Sequence, residues 1–266
     1  FLSVVLIGTV YPIFLEVLSD EKISIGPPFY HKLIIPLLVP FLVFMSFGSN
    51  LNWIKSEIKK IKFQLVLPFI ISLFISFIIL TKIGFIGLIN TVLILTAFYL
   101  FFINVQDFFL KKFKNYAQTF SHFGFSLLIL SILFNSFLSS EKTINLKVGE
   151  KFSFREEIIT FESIENIKNK NYKSIIGYFS IRDKKNNSIQ LKPELRIYNQ
   201  PLTITSEADI KTTIFYDKFL VMNVVKDYEY FNVRYQIKPF MIWIWISTVL
   251  LVIGGCFSLF RRIYEK

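Results

Sequence analysis

His122 is the residue of this chain whose type and position are best suited to chemistry. It lies one to two turns inside the apolar run Ala117–Leu138, which is about as long as the ~20 residues that a membrane-spanning helix needs. Ionisable side chains are rare inside such spans, and one found there is a functional-site candidate. An imidazole at this depth could act as a ligand or relay protons. It could equally be a structural histidine bonded to a neighbouring helix, and position alone leaves both interpretations open.

Helical spacing places four residues on the face of His122. Gln118 and Thr119 precede it, and Phe125 and Ser126 follow it, at three- and four-residue intervals. This face is more polar than the rest of the run. We therefore expect it to face the interior of a helix bundle and not lipid.

Two further residues carry reactive side chains. His31 follows Gly26-Pro27-Pro28, and we interpret it as a loop or interfacial residue, because one exposed histidine does not make a metal site. Cys256 is the only cysteine, which excludes an intramolecular disulfide and a cysteine metal cluster. It lies in the last apolar run, where we expect a helix-packing role.

Three carboxylates of the large segment Ser139–Ile237, those of Glu194, Glu207 and Asp209, could form a cluster. Without a histidine or cysteine nearby, solvated or turn-capping roles are favoured. The sequence contains no nucleophile–base pair, no glycine-rich phosphate loop and no metal-ligand spacing. No catalytic residue is predicted.

Six apolar runs organise the chain, which is 53% hydrophobic. They predict a membrane α-helical bundle of about six spans, at Phe1–Leu18, Leu33–Ser49, Gln64–Leu80, Leu88–Leu110, Ala117–Leu138 and Lys238–Leu259. Between the first two runs, Ser19–Lys32 is predicted to be a loop, because Gly26-Pro27-Pro28 cannot continue a helix. Trp243 and Trp245 are interpreted as interface anchors.

The distribution of lysine and arginine among the short loops predicts how the spans are oriented in the membrane. The segments after the second, fourth and sixth spans are basic, with Lys55, Lys59, Lys60, Lys62, Lys111, Lys112, Lys114, Arg261, Arg262 and Lys266. Basic segments stay on the cytoplasmic side, so the large segment Ser139–Ile237 is expected in the periplasm. The net charge of +11 is explained by this distribution, and no nucleic-acid partner is predicted.

Period-two alternation in the large segment predicts one β-rich domain, a barrel or sandwich, between the last two spans. The predicted strands are Thr143–Val148, Ile175–Arg182, Ser188–Leu191, Lys218–Val225 and Asn232–Ile237. The domain scheme is therefore residues 1–138 as five membrane helices with the first truncated, 139–237 as the periplasmic domain, and 238–266 as the last helix with a cytoplasmic tail. The start at Phe1-Leu2-Ser3, inside an apolar run, is interpreted as a fragment or a split gene.

Several segments resemble, in order, those of the CcmF family of cytochrome c maturation haem lyases. Ser121-His122-Phe123-Gly124 resembles the family's AHLG segment, whose histidine is an axial ligand of an intramembrane b-type haem. Residues 8–12 (GTVYP) and 21–30 (EKISIGPPFY) resemble GTLYP and KISVGPPFF of the family. The other matching segments are residues 161–164 (FESI), 171–172 (NY), 191–198 (LKPELRIY), 206–210 (SEADI), 237–240 (IKPF), 243–245 (WIW) and 254–255 (GG).

The resemblance implies a multi-pass haem lyase of the bacterial inner membrane. Such an enzyme takes haem from a CcmE-like haem chaperone and joins it to the CxxCH thiols of an apocytochrome c, together with CcmH/CcmI-like thiol-handling subunits. It implies haem b as cofactor, which keeps the incoming haem iron reduced, and His122 as an axial ligand of the haem b iron.

There are departures from the family pattern. The family's tryptophan-rich external segment, its two external histidines and its other intramembrane histidine lie upstream of the matching region, so we expect them in a missing N-terminal part or a separate subunit. His31 stands where the family has no histidine, and no role is transferred to it. The competing interpretation is a non-enzymatic permease or scaffold subunit with a periplasmic β domain. A b-type absorption band would distinguish the two.

Overall fold

The structure, a computed structural model, describes residues 1–19, 23–48, 58–110, 116–184, 186–225 and 229–264. In chain order the elements of these ranges are α1 (Leu2–Ser19), α2 (Pro27–Gly48), α3 (Ile58–Ile83), α4 (Leu88–Leu110), α5 (Tyr116–Leu138), β1 (Ser140–Leu146), β2 (Lys151–Phe154), β3 (Glu157–Lys168), β4 (Tyr172–Asp183), β5 (Ser188–Leu191), β6 (Glu194–Asn199), β7 (Leu202–Glu207), β8 (Asp209–Thr212), β9 (Tyr216–Val225), β10 (Tyr230–Pro239) and α6 (Met241–Tyr264). They form two compact units: the helical unit, Phe1–Leu130 with Ile246–Lys266, and the sandwich unit, Ser131–Trp245.

All six described helices are long and apolar enough to cross a membrane, with apolar spans of 18 to 23 residues. The predicted architecture of about six spans is therefore confirmed, and the chain belongs to a multi-pass membrane protein. α4 is the central helix of the helical unit, because half of its window is buried inside the structure against 6% for α1 and 22% for α5. Helices that are apolar all round and little buried by protein are typical of membrane spans.

The predicted loop over Ser19–Lys32 is wrong at its C-terminal end, because α2 begins at Pro27. A proline is tolerated in the first helical turn, since the N–H that it lacks has no intrahelical partner there. Gly26-Pro27-Pro28 therefore starts a helix, and His31 lies in its second turn.

Two other helix starts differ from the prediction. α3 begins at Ile58 instead of Gln64. Its 26 residues make it about 39 Å long, so its first turns extend beyond the ~30 Å apolar layer and carry no apolar signal. α6 begins at Met241 instead of Lys238, because β10 continues to Pro239.

The strands form two antiparallel sheets. One sheet has the order β1-β10-β9-β8, and the other has the order β2-β3-β4-β6-β7 with β5 paired to β4. The first and last strands are neighbours, with Ser140 opposite Ile237 and Leu146 opposite Phe231. The predicted β-rich domain between the fifth and sixth helices is thus confirmed, and it is a sandwich. The five predicted strands overlap β1, β4, β5, β9 and β10, whereas β2, β3, β6, β7 and β8 were not predicted from the sequence.

Aromatic rings join the two sheets at the centre of the sandwich. Phe161 and Phe179 on neighbouring strands are fully buried, and their rings stack with centroids 4.3 Å apart. Phe231, from the opposite sheet, meets Phe161 edge-on at 5.5 Å. Burying one such side chain contributes roughly 1.5–3 kcal/mol, so this cluster is a major source of the stability of the sandwich.

The ends of α5 and α6 are bound to each other where they meet the sandwich. The rings of Phe134 and Phe240 stack at 4.9 Å, and Asn135 Nδ2 donates a hydrogen bond to the Pro239 carbonyl at 2.8 Å. Phe240 has a left-handed backbone with φ of 59°. This conformation turns the chain from β10 into α6 within one residue.

Candidate functional site

His122 is the seventh residue of α5 and its side chain is partly buried. α5 runs unbroken from Tyr116 to Leu138. The residues that precede and follow His122 in the sequence show which neighbouring helix each side of α5 faces at this level.

Small residues form the side of α5 that faces α6. A Cβ atom on Gly124 would lie 3.1 Å from the backbone nitrogen of Leu251, and one on Gly254 would lie 2.7 Å from the backbone nitrogen of Ser121. Glycines of this kind let membrane helices approach closely. His122 is about 100° around the helix from Ser121 and about 160° from Gly124. It therefore lies on a side of α5 that does not face α6.

Aromatic contacts show which sides of α5 face α2 and α4. The ring of Phe125 meets Phe41 of α2 edge-on at 5.9 Å, and Phe123 meets Phe101 of α4 at 5.8 Å. His122 falls between the directions of Phe125 and Phe123 in the helical projection. Since α2 and α4 also pack on each other, the imidazole occupies the sector of α5 between these two helices.

Burial varies along the predicted polar face. Ser126 is fully buried and donates to the Phe123 carbonyl at 2.9 Å. Thr119 and His122 are partly buried, and Gln118 is exposed. The prediction that this face lies inside the bundle is therefore right from Thr119 onward and wrong for Gln118, which belongs to the first turn of α5.

Two polar groups in this region, Ser126 and Asn104, are bonded within their own helices. Asn104 of α4, on the same side as Phe101 by three-residue spacing, is buried and its Nδ2 donates to the Leu100 carbonyl at 2.9 Å. Such back-bonding to the preceding turn is common for short polar side chains in helices. Aromatic contacts thus occupy the two directions that flank His122 on α5.

The residues around His122 fit one axial ligand of a haem. An imidazole nitrogen is the common protein ligand of haem iron, and an apolar shell limits the access of water to such an iron. Within the part of the chain that the structure describes, no group of three or more His, Cys, Asp or Glu side chains could hold a metal ion. The second histidine of the sequence, His31, is exposed on α2.

The thiol of Cys256 is not packed between the helices that the structure describes. The residue is exposed on α6, so the predicted packing role is wrong. Cys256 lies about 160° around the helix from Gly254, and Gly254 faces α5. The thiol therefore lies on the opposite side of α6.

A buried ionic network in the sandwich was missed by the sequence analysis. Lys218 Nζ donates to Glu157 Oε1 at 2.5 Å, and Tyr235 Oη donates to Glu157 Oε2 at 2.6 Å. All three residues are buried, and they join β9 and β10 to β3 of the other sheet. Burial and the bond to Glu157 raise the pKa of Tyr235 far above its usual range. The sequence did contain a sign of this network: Lys218 lies on the same inward face of an alternating strand as Leu220, which predicts a buried lysine.

Known proteins match this chain over nearly its whole length. Residues 137–239 match a family model described as the CcmF C-terminal beta-sandwich. The chain is 28% identical to the cytochrome c-type biogenesis protein CcmF of Escherichia coli (strain K12), over 99% of its length. It is 26% identical to the cytochrome c-type biogenesis protein ccl1 of Rhodobacter capsulatus, again over 99% of its length. The solved structure of a cytochrome c heme lyase CcmF matches over 96% of the chain with a TM-score of 0.67 and 18% identity, which shows a shared fold.

The resemblance to the C-terminal part of CcmF is confirmed. The chain spans 42% of the length of each of these relatives and of the CcmF structure. The similarity therefore concerns one part of CcmF, and in this chain that part comprises the six described helices and the sandwich.

The CcmF-like helical motifs lie where helices touch. Gly8, in the first motif, meets the ring of Tyr30, in the second, so closely that a Cβ atom on Gly8 would lie 2.8 Å from the ring. Gly124 follows His122 in the SHFG segment, and Gly254 belongs to the final GG pair; these two form the α5–α6 contact. Three of the motifs thus supply a glycine at a close contact, a role that resemblance alone did not predict.

Two CcmF-like outer motifs contain the three carboxylates. Glu194 and Glu207 are opposite each other on β6 and β7, and Arg196 donates to Glu194 at 2.8 Å and lies 3.8 Å from Glu207. The Arg196 guanidinium holds the pKa of Glu194 below its usual range, and the Ser174 hydroxyl also donates to this carboxylate at 2.6 Å. Asp209 accepts from two backbone N–H groups at 2.6 and 2.8 Å. These contacts agree with structural roles for all three residues.

Proposed function

We propose that this chain is the C-terminal part of a CcmF-type haem lyase, and that His122 is an axial ligand of a b haem among its membrane helices. The observation that carries the proposal is a partly buried imidazole in the sector of α5 between α2 and α4, flanked in the helical projection by the ring contacts of Phe125 and Phe123. The co-linear similarity to CcmF over 99% of the chain supports it.

The role of the chain's own residues follows from this placement. His122 would donate a ring nitrogen to the iron, and Phe123 and Phe125 would flank the ligand and keep water away. The close α5–α6 contact at Gly124 and Gly254 would fix the position of α5 and hence of the imidazole. A bound haem b would supply a one-electron redox centre. We infer that the second axial ligand comes from another part of the whole protein or from a partner subunit.

The sandwich is proposed to lie in the periplasm, with residues 1–138 and 238–266 as the flanking membrane segments. This orientation rests on the basic short loops. Lys55, Lys111, Lys112, Lys114 and Lys266 lie outside the described residues, and the structure describes no side chain for Lys59, Lys60, Lys62 and Arg262. On the periplasmic side, haem from a CcmE-like chaperone would meet the CxxCH thiols of an apocytochrome c handled by CcmH/CcmI-like subunits.

The test compares the two histidines of the chain in the whole protein, after purification from membranes. His122→Ala should lose or shift the b-type absorption spectrum and abolish holocytochrome c formation, because alanine has no lone pair for the iron. Added imidazole should restore part of the haem signal. His31→Ala is the matched control and should retain both, because His31 is exposed on α2.

A protein level close to that of the unaltered chain is expected for both variants, since a small apolar side chain is tolerated inside a bundle. Full haem content and full cytochrome maturation in His122→Ala would contradict the ligand assignment. Absence of any b-type band in the unaltered protein would favour the permease or scaffold alternative.

A further inference from the structure

Two exposed apolar side chains lie side by side in the loop between β8 and β9. Ile214 is 62% exposed and Phe215 is 61% exposed. The loop is closed by Thr213, whose N–H donates to the Tyr216 carbonyl at 3.0 Å and whose hydroxyl accepts from the Tyr216 N–H at 3.2 Å. A short turn thus presents a fixed apolar tip.

This tip is hydrogen-bonded to the beginning of α6. The Phe240 N–H donates to the Phe215 carbonyl at 2.8 Å, and Trp243 Nε1 donates to the Ile214 carbonyl at 2.9 Å. The two bonds hold Ile214 and Phe215 at the level of the first turn of α6.

The first turn of α6 marks one boundary of the membrane. The apolar span of α6, Met241–Arg261, has 21 residues and is therefore about 32 Å long, which is close to the ~30 Å thickness of the hydrocarbon core of a typical bilayer. Tryptophans favour the interface at this level. Trp243 is in this turn, and the exposed Trp245 directly follows it. Ile214 and Phe215 therefore have the depth of the bilayer interface.

We propose that Ile214 and Phe215 insert into the interfacial region of the lipid bilayer and form a third attachment of the sandwich besides α5 and α6. The occupant of this surface is lipid, because its two hydrogen bonds place it beside the first turn of a membrane span. Burial of the two side chains among headgroups and upper acyl chains is favourable, and the closed turn loses little conformational freedom on insertion. The inference depends on α6 crossing a membrane and is independent of the haem assignment.

The test uses an environment-sensitive fluorophore on the 266-residue chain in phospholipid vesicles. Cys256 is first replaced by alanine, since it is the only cysteine. Nitrobenzoxadiazole is then attached to Phe215→Cys or, in a second variant, to Ile214→Cys. The matched control is Leu202→Cys at the start of β7, because Leu202 is an apolar residue with 80% exposure. The start of β7 lies at the other end of the sandwich from the Glu157–Lys218 bond, near the Tyr172–Tyr198 pair.

The labels at positions 215 and 214 should emit at shorter wavelength than the control and lose most of their emission when the vesicles contain doxyl-labelled lipid. The control label should be quenched by aqueous iodide and not by the doxyl lipid. Quenching of the 214 and 215 labels by iodide alone would overturn the proposal. Protection of these labels from both quenchers would also overturn it, because the tip would then be covered by protein.

Discussion

The helical unit and the sandwich unit use apolar side chains in opposite ways. Apart from α4, no described span has more than 22% of its apolar window buried by protein, whereas the sandwich contains fully buried rings such as Phe161, Phe179 and Tyr235. The sandwich is stabilised by removing apolar surface from water. The helices have lipid as their surroundings, so their packing depends on close contact between small residues. The same substitution should therefore have different effects in the two units.

The largest effect is expected for a phenylalanine of the sandwich core. Phe161→Ala removes a ring that contacts both sheets and should lower the free energy of unfolding of the sandwich by about 3–5 kcal/mol. The matched control is Phe77→Ala on α3, where the ring is 67% exposed; its effect should stay within about 0.5 kcal/mol. Urea titration with pulse proteolysis of the detergent-solubilised chain measures both. Equal effects of the two substitutions would contradict the proposed difference between the two units.

A smaller effect is expected in the helical unit, at one of two neighbouring glycines. Gly254→Ala places a Cβ atom 2.7 Å from the backbone of Ser121, whereas Gly255→Ala meets no atom within 4 Å. The first change should cost about 1–3 kcal/mol through overpacking, and the second should be neutral or slightly stabilising because alanine favours the helix. Unfolding in mixed micelles at increasing dodecyl sulfate fraction gives both values. If both alanines are tolerated, α5 and α6 are not held together by close packing.

The smallest effect concerns pH and the buried carboxyl of Asp217 on β9. Burial raises the pKa of Asp217 above that of the unfolded chain, so the charged form destabilises the sandwich as the pH rises above the unfolded value of ~3.9. Asp217→Asn should therefore increase the free energy of unfolding at neutral pH, and the gain should disappear as the pH falls to that value.

Glu194→Gln is the control with the opposite sign. Arg196 lowers the pKa of Glu194, so the substitution should reduce stability at neutral pH, and the loss should disappear as the pH falls through the lowered folded pKa. Urea midpoints measured from neutral to acidic pH test both. An Asp217→Asn variant that is less stable than the unaltered chain at neutral pH would contradict the assignment of a burial penalty.

The part of the fold that the sequence predicted is the part with strong local patterns. A span such as α4 is a continuous apolar run, and β9 alternates regularly, so both were predicted. β7 was missed because it is an edge strand whose apolar residues Leu202 and Ile204 are exposed, which removes the contrast between its two faces. The start of α2 was placed too late because Pro27 can begin a helix as well as end one.

The same difference between local patterns and long-range packing applies to the candidate site. His122 became a candidate because it is a histidine within an apolar run, and most of its predicted helical face is buried or partly buried. The rings that contact the adjacent Phe125 and Phe123 come from α2 and α4, and no local pattern encodes which helices pack together. The burial of Glu157 and Lys218 depends likewise on the meeting of two sheets.

The junction at Phe134 and Phe240 has a consequence for how the sandwich folds. The two ends of the domain emerge from neighbouring strands, with Ser140 opposite Ile237, and the ring stack and the Asn135–Pro239 bond hold the helix ends together. Closing a loop of about 100 residues in a free chain would cost about 4–5 kcal/mol of entropy. Once α5 and α6 are paired in the membrane, most of this cost no longer falls on the sandwich. The helix pair thus acts on the domain as a disulfide acts on a small secreted protein, in a chain that has only one cysteine.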